Sequence, residues 1–123
     1  MSSPVILLAE DDEIIHRLFV NFLEGRGCHV DSAYDGREAI AALGRRLYDC
    51  VVLDMMMPIV DGTAVLAFML ESAPDVLAKT IIISAYPELA SEMHRKRVCA
   101  VMQKPFEMDD FGAMLDICLA AKA

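Results

Sequence analysis

Four short apolar runs, each closing on a residue suited to phosphoryl or metal chemistry, constrain this chain more than any other feature. Val5-Ile6-Leu7-Leu8-Ala9 runs into Glu10-Asp11-Asp12, and Cys50-Val51-Val52-Leu53 into Asp54. Thr80-Ile81-Ile82-Ile83 closes on Ser84, and Ala100-Val101-Met102-Gln103 on Lys104-Pro105-Phe106. Unbroken apolar runs of this length suit strands buried on both faces, as in parallel sheets covered by helices. If all four are parallel strands of one sheet, their polar ends share its carboxyl edge, where open α/β folds bind ligands. Acids, a hydroxyl and an ammonium then converge from positions far apart in sequence. That points to a Mg²⁺-assisted phosphoryl site centred on Asp54.

Between these runs the apolar spacing becomes helical. A strand over 5–9 leads into a helix over 13–25 carrying Ile14, Ile15, Leu18, Phe19, Phe22 and Leu23 on a broad stripe. Glu24-Gly25-Arg26-Gly27 stops it, because glycine readily takes the left-handed cap conformation. A strand over 28–33 precedes a helix over 36–46 opened by Asp35-Gly36; the strand over 50–53 precedes Pro58 and a helix over about 61–72. Pro74 and Asp75 mark a turn before the strand over 80–83, and Pro87 opens a helix over 87–97, since proline suits a first helical turn. A strand over 99–103 and a helix over about 107–121 follow. Five βα units of this length predict an α/β fold, a doubly wound parallel sheet with helices on both faces.

The 123 residues, 56% of them apolar, suffice for one domain that buries roughly two-thirds of its unfolded surface. No apolar stretch approaches the ~20 residues that span a bilayer. Met1-Ser2-Ser3-Pro4 lacks the basic and apolar regions of a signal peptide, so a cytoplasmic location without membrane insertion is expected. A net charge of −8 argues against direct nucleic-acid binding, which calls for a basic stripe. Cys28, Cys50, Cys99 and Cys118 show no C-x-x-C spacing and are read as buried reduced thiols filling apolar space.

Four segments in order carry a resemblance that covers essentially the whole chain: Leu8-Ala9-Glu10-Asp11-Asp12, Leu53-Asp54-Met55-Met56-Met57-Pro58 with Asp61-Gly62, Ile83-Ser84-Ala85, and Lys104-Pro105-Phe106. The sequence resembles a response-regulator receiver domain of two-component signalling. Each segment alone is weak; their order and spacing, each after an apolar run, make the match specific. The resemblance implies a flavodoxin-like five-stranded sheet in the order 2-1-3-4-5. It also implies that residues 1–123 form a single receiver domain, with no output domain in the chain.

Asp54 is then the expected phosphoacceptor, its carboxylate attacking a phosphoryl group carried by a partner histidine to give an acyl phosphate. Such transfers need positioning and charge neutralisation more than covalent help. The resemblance makes Asp11, Asp54 and the Met56 carbonyl ligands of Mg²⁺, with Glu10 acting through water; a hard cation prefers such oxygens. Lys104 neutralises phosphoryl oxygens as a point charge on a long stem, and the family's Lys-Pro bond, here Lys104-Pro105, is often cis. Ser84 offers a hydroxyl to the phosphate and, in receivers, moves inward with the loop after it, the bistable element of a switch. Asp12 is read as the N-cap of the first helix, and Asp61-Gly62 as a structural turn in which glycine supplies backbone freedom. Crowded carboxylates repel, so their pKa values should rise without metal, and Mg²⁺ should stabilise the fold.

The expected partner is a sensor histidine kinase or a histidine phosphotransfer protein, docking on Ile14, Ile15 and Leu18 where part of the first helix is exposed. Output is expected through the face of the fourth helix, fifth strand and fifth helix, a face that also admits a homodimer. The domain is expected to be no enzyme beyond its own phosphoryl transfer and dephosphorylation. Met56 and Tyr86, beside the site entrance, are expected to screen the phosphoryl group from water. Val101 departs from the family, which places Tyr or Phe there; a β-branched side chain has no comparable swing. His16, His29 and His94 are read as surface or core residues outside the site, and His94-Arg95-Lys96-Arg97 as a solvated helix face.

Three other readings compete. A haloacid-dehalogenase-like phosphatase wants a second acid two residues past its nucleophile, where Met56 stands. A flavodoxin-like cofactor binder wants a hydroxyl- and glycine-rich loop where Glu10, Asp11 and Asp12 would repel a flavin phosphate. A degenerate receiver acting only as a protein-interaction module fits less well with every chemical residue present.

Overall fold

Alternation along the strands builds the core in two layers. The computed structural model describes residues 3–120, and its five strands are β1 (Val5–Ala9), β2 (His29–Ala33), β3 (Cys50–Asp54), β4 (Thr80–Ser84) and β5 (Ala100–Gln103). All neighbours pair in parallel, in the order β2-β1-β3-β4-β5. Leu7, Ala9, Val51, Leu53 and Ile82 pack into one cluster, while Ile6, Leu8, Cys50, Val52, Ile81 and Ile83 pack into the other. That period of two is what a sheet covered on both faces requires.

Helices α2 (Gly36–Leu43) and α3 (Gly62–Ser72) cover the first face through Ala39, Ala42, Val65, Leu66 and Met69. Helices α1 (Glu13–Gly25) and α5 (Met108–Ala120) cover the second through Phe19, Leu23, Phe111 and Leu115. Helix α4 (Glu92–Arg97) lies between β4 and β5 in sequence. Among the described residues no helix is long and apolar enough to cross a membrane. Position 121, the expected end of the last helix, lies outside the described residues.

The helix starts follow side-chain caps. Asp12 accepts the Ile14 and Ile15 N–H groups at 2.9 and 3.0 Å, as expected of it. Asp35 accepts the Glu38 N–H at 2.8 Å, and Asp61 accepts the Ala64 N–H at 3.2 Å.

Four expectations need correction. The helix over 87–97 is two pieces, a 3₁₀ turn Pro87–Leu89 and then α4. Between them Ala90 is extended and buried in the first cluster, and Ser91 restarts the helix by accepting the His94 N–H at 3.2 Å. Pro74–Leu77 is a helical turn that buries Val76 and Leu77 rather than an open turn. Gly62 is needed for space rather than freedom: a Cβ there would lie 2.6 Å from the Met55 Cα. The left-handed residue of that loop is instead Ile59, at φ 69°.

The fourth correction concerns the thiols. Cys99 and Cys118 are joined in a disulfide, and Cys28 and Cys50 alone are free and buried. The start of β5 and the end of α5 bring the paired Cα atoms to 6.0 Å, although they stand 19 residues apart in sequence. Sequence spacing could not show that approach.

Candidate functional site

Each functional group stands at a strand end, after the buried strands β1, β3 and β4 or the half-buried β5. β1 delivers Glu10 and Asp11, β3 ends on Asp54, β4 ends on Ser84, and β5 hands over to Lys104. The sheet order puts β1 and β4 on either side of β3, so Asp54 sits at the centre of the carboxyl edge. Carboxylate oxygens of Glu10, Asp11 and Asp54 all lie within 4.8 Å of one another. Glu10 and Asp54 are buried, the latter 5% exposed, while Asp11 faces solvent.

Lys104 spans the two buried acids. Its Nζ lies 2.9 Å from Glu10 Oε1, to which it donates, and 3.5 Å from Asp54 Oδ2. The Lys104–Pro105 bond is cis, and the Lys104 N–H donates to the Ser84 carbonyl at 2.8 Å, tying the two strand ends together. Asp54 Oδ1 accepts the Met56 N–H at 3.2 Å, and Glu10 Oε2 accepts the Asp12 N–H at 3.1 Å.

These contacts do not neutralise the pocket. Burial pushes the Glu10 carboxyl above its ordinary value, and Asp54 adds to that, against the Lys104 hydrogen bond. Asp11 is raised by loss of solvent and then by its hydrogen bond with Glu10. Burial draws Lys104 down, but Glu10 and Asp54 outweigh it and hold the ammonium above its usual value. Three oxygen-donor carboxylates crowded around one lysine match a hard divalent cation such as Mg²⁺.

Ser84 is fully buried, and its Oγ accepts the Tyr86 N–H at 2.9 Å. A hydroxyl both accepts and donates, so this bond leaves its hydrogen to give. Val101 is half-buried against the first core cluster. Met56 and Tyr86 are largely exposed, and Met56 lines a cleft of about 430 Å³ with Asp11, Pro58, Asp61, Thr63 and Leu89.

Beside the pocket, Ile14 and Leu18 are 76% and 58% exposed, as expected of the first helix. Ile15, Leu18, Phe19, Ala85, Pro105 and Phe106 line an apolar groove of about 390 Å³ that ends at Lys104. The histidines lie on the surface or in the core as expected, but His94 departs from the solvated face expected of 94–97. His29 is exposed, but His94 is buried on Ser91, and His16 is buried with its Nδ1 donating to the Glu10 carbonyl at 2.8 Å. The one sequence signal for His16 is a polar residue among apolar neighbours on the stripe of α1.

Comparison with known proteins agrees with this geometry. A family model described as the response regulator receiver domain matches residues 6–116. The response regulator receiver protein CpdR of Brucella abortus is 32% identical over 116 residues, covering 94% of this chain and 97% of that protein. The transcriptional regulatory protein TrcR of Mycobacterium tuberculosis is 34% identical over 92% of this chain. Several curated relatives are longer: the chain spans 44% of TrcR and 15% of another. Among solved structures, the response regulator TrrA of Thermotoga maritima, in complex with Mg²⁺-BeF, superposes with a TM-score of 0.83 at 27% identity, covering 96% of this chain and 99% of that one.

Proposed function

The chain belongs to the response regulator receiver domain family, and on that premise we propose that Asp54 is the residue that accepts the phosphoryl group. The observation carrying this assignment is the convergence of Glu10, Asp11 and Lys104 on the buried carboxylate that ends β3. An Asp54 oxygen attacks phosphorus as the P–N bond of a phosphohistidine breaks. The bonding pair stays on the imidazole nitrogen, and an acyl phosphate forms.

Receiver domains bind Mg²⁺ at an acidic site, and the donors here fit it. Asp11, Asp54 and the Met56 carbonyl would hold the ion directly and Glu10 through water, supplying charge neutralisation at the phosphoryl oxygens. Lys104, already drawn over Asp54, turns its ammonium from carboxylate to phosphoryl oxygen as charge builds there. Ser84 gives its free hydroxyl hydrogen to the same group, pulling on the β4 end and the Tyr86 amide that leans on it. With Val101 in place of an aromatic, that pull reaches the α4–β5–α5 face through the loop after Ser84.

The partner supplying the phosphoryl group is a histidine kinase or phosphotransfer protein. The exposed Ile14 and Leu18 and the groove ending at Lys104 support docking of an apolar helical surface there. The test is intact mass after incubation with acetyl phosphate and Mg²⁺, beside Asp54→Asn. A Mg²⁺-dependent gain of one phosphoryl group, absent in the variant, is expected; an equal gain in Asp54→Asn would overturn the assignment.

A further inference from the structure

The acidic pocket has a support on the side away from its reacting oxygens. The carboxylate of Glu10 points into the site, bonded to Lys104 and the Asp12 N–H. Its carbonyl is instead taken by the His16 ring, whose Nδ1 lies 2.8 Å away. A carbonyl only accepts, so Nδ1 carries the hydrogen. The other ring nitrogen, Nε2, lies 2.7 Å from Ser32 Oγ on β2, and in the neutral ring it accepts the serine hydroxyl. Tyr34 stacks on the imidazole with ring centroids 4.1 Å apart and planes at 20°. The Tyr34 N–H is held in turn by Glu38 Oε1 at 2.7 Å.

We infer that His16 is a positioning residue for the acidic pocket: a strut from β2 to the Glu10 carbonyl that fixes how Glu10 and Asp11 present their oxygens. The inference rests on the receiver reading of that pocket. His16 touches no reacting atom, and it is 1% exposed. Packing alone would not need its geometry. Both ring nitrogens are spent on the backbone of β1's end and on β2, and its face is covered by an aromatic residue held in place by α2. Glu10 is also tied to β2 by its own N–H, which donates to the Ala33 carbonyl at 3.1 Å. Glu10 is therefore held through both of its peptide groups, its N–H by the Ala33 carbonyl and its carbonyl by the His16 imidazole. Groups that orient metal-holding side chains from behind typically govern affinity by about 10- to 100-fold.

The experiment compares His16→Leu with His16→Asn, using Mg²⁺ alone as the probe. The Asn amide superposes on the Nδ1 side of the ring and keeps a donor for the Glu10 carbonyl; Leu is the better apolar filler and has none. Mg²⁺ affinity is read by titration of amide NMR shifts, and loop order by exchange of the Asp12 amide hydrogen without metal. The strut predicts affinity about tenfold weaker in His16→Leu, substantially restored in His16→Asn, with Asp12 exchange faster in Leu than in Asn. A merely structural role ranks them the other way, and equal affinity in Leu and wild type, or a weaker Asn than Leu, overturns the inference. Should His16→Leu fail to fold, Ser32→Ala decides: it frees the far end of the ring while leaving the core filled, and unchanged affinity and exchange there overturn the strut. A wild-type protein without a Mg²⁺ response would instead overturn the metal-site reading of the pocket, and the exchange ranking would still judge the strut.

Discussion

Asp31, on the edge strand β2, and the acids at the carboxyl edge show how differently one sheet can treat its carboxylates. Asp31 Oδ2 accepts the Tyr48 hydroxyl at 2.8 Å and faces Arg46 at 3.2 Å, while its Oδ1 faces His29 at 3.2 Å. Burial would raise Asp31, but these three partners overcome it and hold the carboxyl below its usual value. Burial and then Asp31 push the Tyr48 hydroxyl up to about 12. At the carboxyl edge three acids share one lysine, and Glu10 and Asp11 are held above their usual values. One cluster has its charge matched within the chain and adds to stability. The other is left short of positive charge, a local cost that a bound cation can relieve, which is the pattern expected where pKa values are set for function.

The sharpest way to break this comparison is to remove the single cation of the pocket. Lys104→Ala leaves Glu10 and Asp54 facing each other in a buried site, and breaking a buried ion pair costs about 3 kcal/mol. Urea unfolding without Mg²⁺ should show that loss. Phosphorylation by acetyl phosphate should fall about 100-fold, the cost of one charge-stabilising donor. A stability change near zero would mean the pocket is not short of charge.

Adding a cation tests the same contrast from the other side. At 100 times its Kd, Mg²⁺ should stabilise the native chain by about 2.7 kcal/mol, seen as a rise in unfolding temperature. Asp31→Asn should respond in full, and Asp54→Asn only in part. A lost response in Asp31→Asn would show that the two clusters are not independent.

Half of this contrast is legible in the amino-acid sequence. Glu10, Asp11, Asp54, Ser84 and Lys104 stand out because apolar runs end on them, and strand ends in a parallel sheet share an edge. The matched cluster is not legible, since Asp31, Arg46 and Tyr48 meet through an edge strand and a loop with no periodic signal. The same holds for Cys99 and Cys118, joined by the packing of α5 on β5. His16 reads as a filler of the α1 stripe, because a ring's partners depend on what faces it across two other elements. The break at Ala90 is hidden for a related reason: Pro87 promises a helix, but the core takes the alanine and Ser91 has to start again.

The smallest effect is the pH dependence, and there the two clusters should differ in sign. Stability rises with pH wherever the unfolded chain binds more protons than the native one. Glu10 and Asp11 are raised above 4.5 and 3.8, so between those values and the raised ones the native chain binds more. Metal-free stability should therefore grow as the pH falls from neutrality through the raised values, the gain being complete below the ordinary ones. Asp31 is lowered from 3.8, so its contribution is present above that value and is lost as the pH falls through the lowered one. Chemical unfolding across the acid range should show a rise and then a fall. Saturating Mg²⁺ should abolish the rise, because protons and cation compete for the same oxygens. Tyr48→Phe should shrink the fall and complete it at higher pH by removing the hydroxyl that most favours ionised Asp31, leaving the rise intact. A rise that survives Mg²⁺, or a fall that ignores Tyr48→Phe, would mean that the two carboxylate clusters answer to a common cause rather than to their own neighbours.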